Sequence, residues 1–283
     1  MKIAIVGLGL IGGSIGNKLK DQNSKFKIIG IPRRKKTIDL AIKLGAIDEG
    51  TADLTAGVKE AEVVFICTPI SLIIPTINRI APYLKQGAIV TDVGSSKEQI
   101  VEQAEKIMAK GTFFVGGHPM AGKEKVKLEA AEADLFQGRT WILTPTRKTN
   151  PRAIQVISRL VVLLGGKVMQ MDPKTHDLVV AVISHMPLAV AAALVNTIAD
   201  EKKNREKMKK CAASGFRDTT RIASGDPELG IDMFVTNQKA VLKALGSFKK
   251  SLSRLEKAIK SGKNSAMAKE LAKAKKFRDS IYR

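Results

Sequence analysis

Apolar residues follow two different rhythms along this 283-residue chain. Up to residue 172, short apolar runs alternate with segments of helical period; beyond it the short runs stop and longer stretches repeat every three to four residues. The first rhythm predicts strands over 2–6, 27–31, 63–67, 88–91, 113–115, 140–143 and 167–171. Helices are predicted between them, over 11–20, 36–43, 71–82, 97–109 and 151–164. Such alternation builds βαβ units and a mainly parallel sheet. Asn150 before Pro151 suits a helix N-cap, and Gly165-Gly166 suits the stop of the same helix. The second rhythm predicts helices over 172–199, 201–213, 231–260 and 266–281, with breaks at Asp226-Pro227 and Ser261-Gly262. The expectation is an α/β domain over 1–172 followed by an all-α domain over 173–283, joined without a flexible tether.

Composition removes several function classes. Apolar residues make up 44% and charged residues 27%, as in an ordinary globular protein. Lys and Arg total 48 against 27 acidic residues, a formal charge of +21, and the excess is spread over both predicted domains. Nucleic-acid binders gather such charge beside a reading motif. None is found here, and aromatics are only 4%, so nucleic acid is not expected as a partner. Solvated helix faces and a general attraction for anionic small molecules both account for the charge. Two distant cysteines, Cys67 and Cys211, support neither a disulfide framework nor a cysteine-based metal site, and fit a reducing cytoplasm. The apolar run 178–195 contains His185 and Pro187 and reads as a buried helix rather than a membrane span. Five glycines in the first sixteen residues argue against a signal peptide.

Those glycines carry chemistry. Gly7, Gly9 and Gly12 form G-x-G-x-x-G directly after a predicted strand and at the opening of a helix. The first glycine permits a tight turn, the second lets a pyrophosphate approach the backbone, and the third allows close helix–strand packing. The helix start, with Leu10 and Ile11, then offers unpaired N–H groups to the anion. In this context the motif predicts a Rossmann-type dinucleotide site. An NAD site places an acid about 20 residues on, for the ribose 2′-hydroxyl. Here the second strand ends in Pro32-Arg33-Arg34-Lys35-Lys36, with bases where that acid belongs. Guanidinium groups match a 2′-phosphate, so NADP is the expected cofactor; a solvated charge run is the alternative.

Of three histidines, His118 lies in Gly116-Gly117-His118-Pro119-Met120-Ala121-Gly122, expected as a glycine-rich loop just after a strand and facing the cofactor crevice. His185 lies mid-helix beside Pro187, where a hydrogen-bonded core histidine is the more common outcome, and His176 precedes Asp177 near the start of that helix.

The stretches GLGLIGGS (7–14), FICTPISLIIPT (65–76), IVTDVGSSK (89–97), GGHPMAG (116–122), ISHMP (183–187) and SGFRDTTRIASGDPELG (214–230) resemble, in order and in both predicted domains, the prephenate and arogenate dehydrogenases of tyrosine biosynthesis. The short cyanobacterial-type arogenate dehydrogenases are the nearest likeness. That resemblance implies an oxidative decarboxylation; the apolar stretches of the predicted helical domain, which leave surface to hide, add the expectation of a homodimer formed through it. His118 matches the histidine that takes the substrate's hydroxyl proton, and Ser95 a serine that orients it. His185 matches a histidine lining the substrate pocket, and Arg221 an arginine clamping a substrate carboxylate, with Arg217 a second candidate. Thr68 and Pro69 match the lip beside the nicotinamide. Asp218, with Gln238, falls where the resemblance places a preference for arogenate's ammonium over prephenate; a helix N-cap or an ion pair with Arg217 or Arg221 would equally explain an acid there. Pro32 departs from the cyanobacterial pattern, which has a serine at this point, and so offers neither hydroxyl nor N–H to a 2′-phosphate.

Overall fold

The computed structural model describes residues 1–22, 25–123 and 127–282. Contacts divide the chain into two units, Met1–Gln238 and Lys239–Arg283. In the first unit, among the described residues, strands β1 (Lys2–Val6), β2 (Lys27–Ile31), β3 (Glu49–Gly50), β4 (Val63–Ile66), β5 (Ile89–Asp92), β6 (Phe113–Pro119), β7 (Thr140–Thr144) and β8 (Lys167–Gln170) form one sheet. Their order is β3-β2-β1-β4-β5-β6-β7-β8. Every pairing is parallel except β6 with β7. The chain reverses its direction across the sheet between β1 and β4, which is where open α/β sheets place ligands at their carboxyl edge.

Helices α1 (Leu10–Gln22), α2 (Lys35–Lys43), α3 (Leu54–Val58), α4 (Ile70–Ile80), α5 (Glu98–Ile107) and α6 (Pro151–Leu163) connect the strands. Alternate β1 residues feed different cores: Ile3 and Ile5 join a cluster with Ile15, Phe65 and Trp141, whereas Ala4 and Val6 join one with Ile66, Ile73 and Val101. Because both faces are covered, β1 after its exposed Lys2, and β4 throughout, read as unbroken apolar runs. Asn150 caps α6 by accepting from the N–H groups of Arg152 and Ala153. Gly165 ends it in the left-handed region, with φ 86°.

The helical part of this unit comprises α7 (Pro173–Val180), a π-helical turn (Ala181–His185), α8 (Met186–Ala199), α9 (Arg205–Cys211), α10 (Ser214–Thr220), a 3-10 turn (Arg221–Ser224) and α11 (Pro227–Thr236). It is fastened to the sheet part by hydrogen bonds. The Ser71 N–H and hydroxyl each donate to Asp232 Oδ2 at 3.0 Å, and the Ser96 and Thr236 hydroxyls meet at 2.8 Å. The second unit holds most of α12 (Gln238–Lys260) and all of α13 (Asn264–Ile281), which turn at Gly262 and are linked by Arg254 and Glu270 at 3.7 Å. Residues 239–283 carry 14 basic and 3 acidic side chains, so nearly all the basic excess of the helical half sits here.

Several expectations are corrected. β6 continues past 115 to Pro119, so His118 stands on a strand paired with Ile142 rather than in a loop. The 172–199 helix changes register at Ala181–His185, just before Pro187, which has no N–H to give the regular ladder. This helix is also not buried within one chain: only 22% of its most apolar window is covered, and by length and composition it could cross a membrane. The 231–260 helix breaks at Asn237, and α3, β3 and α10 were not expected.

Candidate active site

The nucleotide loop begins at Gly7, whose φ is 95°. A Cβ there would stand 2.6 Å from the Cys67 carbonyl oxygen, and one at Gly12 would stand 2.1 Å from that of Gly7. Only glycine permits this close crossing of β1, β4 and α1. The first N–H groups of α1, a helix of 13 residues, therefore open onto the carboxyl edge of the sheet. After β2, Pro32 is buried while Arg33 and Arg34 are exposed. After β4, Thr68 is followed by an exposed Pro69, and the buried Thr68 Oγ1 has no partner among the described residues. The glycine cradle, the helix start and this unpaired hydroxyl fit a bound dinucleotide.

Two further strand ends lie on the same edge. Beyond β5, the Asp92-Val93-Gly94-Ser95 turn presents Ser95, whose buried Oγ is also without a partner. On β6, beside it, His118 is 8% exposed. Asp92 joins the two: its Oδ2 accepts the Gly94 N–H at 2.9 Å and its Oδ1 the Gly117 N–H at 3.2 Å. The Lys97 ammonium bonds Asp92 Oδ2 with both side chains fully buried.

The helical part contributes a second layer. His118 Nδ1 lies 2.8 Å from His176 Nε2, and His176 Nδ1 lies 2.8 Å from Asp177 Oδ1. Asp177 also accepts the N–H groups of Lys97 at 2.7 Å and Glu98 at 2.9 Å. Asn237 donates to the Asp177 carbonyl at 2.8 Å and lies 3.3 Å from His185 Nδ1, while His185 Nε2 is buried and unpartnered. Burial holds all three imidazoles below the ordinary histidine value. His118 is lowered well below it, with His176, Lys97 and His185 adding to the effect of burial. For His176 the Asp177 carboxylate opposes that trend, and His185 is pushed down to about 4. Neutral imidazoles, able to accept a proton, follow from this setting.

The remaining sequence candidates are placed differently. Arg217 Nε and Asp218 Oδ1 pair at 3.0 Å within α10, with side chains 75% and 67% exposed. Asp218 is inside that helix, so it is not an N-cap. Arg221 is exposed at the head of the 3-10 turn, which packs on α8. Gln238 is exposed at the start of α12; its neighbour Asn237 is the residue that reaches His185. Ser95 makes no bond to His118, whose partner is His176. Asp92, Lys97, His176, Asp177 and Asn237 were not singled out for roles in the sequence. The Asp-Val-Gly-Ser turn and the His-Asp dipeptide are the signals that point to three of them, Asp92, His176 and Asp177.

A Rossmann sheet with a glycine cradle, capped at its carboxyl edge by a helical part bearing neutral histidines, defines a nicotinamide-nucleotide oxidoreductase. The family model for the nucleotide-binding domain of prephenate dehydrogenase matches residues 15–170, and that for its dimerization domain matches 172–273. The chain belongs to the prephenate dehydrogenase family. It is 34% identical over 280 residues to a prephenate dehydrogenase of Bacillus subtilis, covering 99% of this chain and 76% of that one. Synechocystis arogenate dehydrogenase is 37% identical, with a TM-score of 0.85 and coverage of 99% and 100%. The A. aeolicus prephenate dehydrogenase, solved with hydroxyphenyl propionate and NAD+, is 36% identical, with a TM-score of 0.93 and coverage of 99% and 98%.

Proposed function

We propose that the protein is an NADP-dependent arogenate dehydrogenase, converting L-arogenate to L-tyrosine and CO2. Residues 1–172 bind the nucleotide and 173–283 complete the substrate site and the dimer. The observation that carries this reading is His118: an imidazole 8% exposed whose burial lowers its pKa well below the usual histidine value, on the strand paired with β5, whose following turn presents the Ser95 hydroxyl.

The bound nicotinamide supplies a hydride acceptor. His118 Nε2, the ring nitrogen not engaged with His176, takes the proton of the substrate's ring hydroxyl as hydride leaves the same carbon. The bond from ring to carboxylate then breaks, CO2 departs, and its electron pair completes the aromatic ring. The phenolate oxygen recovers the proton. Ser95 Oγ and His185 Nε2, both unpartnered, are donors or acceptors for the same hydroxyl and for the ring substituents. Arg221, with Arg217, takes a substrate carboxylate, while Asp218 and Gln238 face the side-chain end. Gly7, Gly9, Leu10, Ile11 and Gly12 hold the pyrophosphate, Thr68 and Pro69 the nicotinamide side, and Arg33 and Arg34 the 2′-phosphate.

The exposed apolar residues of the 173–199 helix, including Leu178, Val182, Ile183 and Leu194, support a homodimer, since so large a patch is rarely left to water. A cytoplasmic enzyme fits the free Cys67 and Cys211. One observation favours prephenate as the main substrate instead: the Asp218 charge is already paired with Arg217. Initial rates with arogenate or prephenate, each with NADP or NAD, decide. Turnover confined to arogenate with NADP supports the proposal, turnover on prephenate replaces the substrate, and no turnover in any pairing refutes the activity.

A further inference from the structure

We infer that His176, anchored by Asp177, is a positioning residue that fixes which ring nitrogen of His118 carries the proton; this rests on the reading of His118 as proton acceptor. The three side chains form a buried line, from His118 Nδ1 to His176 Nε2 and from His176 Nδ1 to Asp177 Oδ1, each step 2.8 Å. His176 and Asp177 are 0% and 2% exposed, so water does not compete for these bonds. The two rings meet edge to face, with centroids 5.1 Å apart and planes at 67°.

The direction of every bond in the line follows from its far end. Both Asp177 oxygens already accept backbone N–H groups, from Lys97 and Glu98 at the start of α5, so the carboxylate is held rigidly as an acceptor. His176 Nδ1 must then carry a hydrogen. A neutral His176 has a bare Nε2, which can only accept. His118 Nδ1 therefore carries its hydrogen, and Nε2 keeps the lone pair that proton abstraction needs. Were either bond reversed, two lone pairs or two hydrogens would face each other in a dry site. Once His118 has taken a proton, its charge is turned through His176 toward Asp177, which favours the cation at the moment it forms. The charged and titratable groups around His118 are His176 and Asp177 from α7, Asp92 and Lys97 from the β5–α5 region, and His185 from the π-helical turn. Among them, Asp177 alone accepts from the line.

The chain has three histidines, so nitrogen-15 labelling of histidine gives a resolvable two-bond proton–nitrogen spectrum, assigned with His118→Asn and His176→Gln. The unaltered protein is expected to show His118 and His176 with the hydrogen on Nδ1. In His176→Leu, His118 should move toward the Nε2–H form. The same variant should lose about 10- to 100-fold in kcat with far smaller changes in KM for substrate and nucleotide, as removal of an orienting partner does elsewhere. His176→Gln, whose amide can accept from His118 and donate to Asp177, should recover most of that loss. An Nε2–H tautomer of His118 in the unaltered protein overturns the proposal. So does an unchanged kcat in both His176 variants beside an inactive His118→Asn. If His118→Asn itself retains turnover, the proton-acceptor reading fails, and the tautomer spectrum still reports on the dyad. If His176→Leu does not fold, the unaltered spectrum and the Gln variant decide.

Discussion

The Lys97 ammonium is bonded to the Asp92 carboxylate with both side chains wholly withdrawn from water. Burial lowers the Lys97 pKa and the nearby Asp92 and Asp177 carboxylates oppose that fall. Asp92 in turn holds the Gly94 and Gly117 N–H groups, so this pair sets the spacing between the Ser95 turn and the His118 strand. Lys97→Met would leave a buried carboxylate without its cation. Breaking such a pair from one side costs about 3–5 kcal/mol. Denaturant unfolding should show that loss, and a cost below about 1 kcal/mol would mean water reaches Asp92.

Three buried imidazoles also give the protein a pH response. The pKa values of His118, His176 and His185 all lie below the ordinary histidine value of about 6.5, with burial the largest cause. The unfolded chain therefore binds more protons than the folded one just below pH 6.5. Stability is fully present above that pH and is lost as pH falls toward each folded value, about 4 for His185. Each histidine contributes up to ~1.4 kcal/mol per pH unit while only the unfolded state is protonated. Unfolding free energies measured between pH 7.5 and 5 should fall steadily below 6.5, above the range in which carboxylates titrate. A flat profile would show that these rings are hydrated.

The parts of the fold legible in the sequence are those whose cause is local. Gly7, Gly9 and Gly12 act within one turn, and Asn150-Pro151 caps the helix it begins, so both could be read from neighbours in the chain. The length of β6 could not, because Gly116–Pro119 becomes strand only through pairing with β7, more than twenty residues on. For the same reason His118 was expected in a loop. The Lys97–Asp177 and His118–His176 contacts span 80 and 58 residues, and no spacing rule links them. The 173–199 helix misled in another way: its apolar stretch signals burial without saying whether its own chain or a second copy provides the cover.

Arg33 and Arg34 are exposed beyond the end of β2, and no acid precedes them where a ribose 2′-hydroxyl would bind. Replacing both by alanine should raise KM for NADP by about tenfold or more, the worth of one charge-assisted hydrogen bond, and leave KM for NAD nearly unchanged. The two constants, measured with the same substrate, test this directly. Equal effects on both nucleotides would reject the 2′-phosphate role and return the run to solvent.

Asp218 separates the two candidate substrates. Arogenate carries an ammonium group where prephenate carries a ketone, so a carboxylate at that end of the pocket favours the first by charge attraction. Within this chain the Asp218 side chain is mostly exposed and bonded to Arg217 at 3.0 Å, a surface pair of small energetic worth. The proposed role therefore requires the substrate's ammonium to compete with Arg217 for the carboxylate. Asp218→Asn should raise KM for arogenate severalfold and leave KM for prephenate level or lower. Arg217→Gln, which frees the carboxylate, should move the arogenate constant the other way. If Asp218→Asn changes neither constant, the residue is only the partner of Arg217, and the choice of substrate is made deeper in the site, around His185 and Asn237.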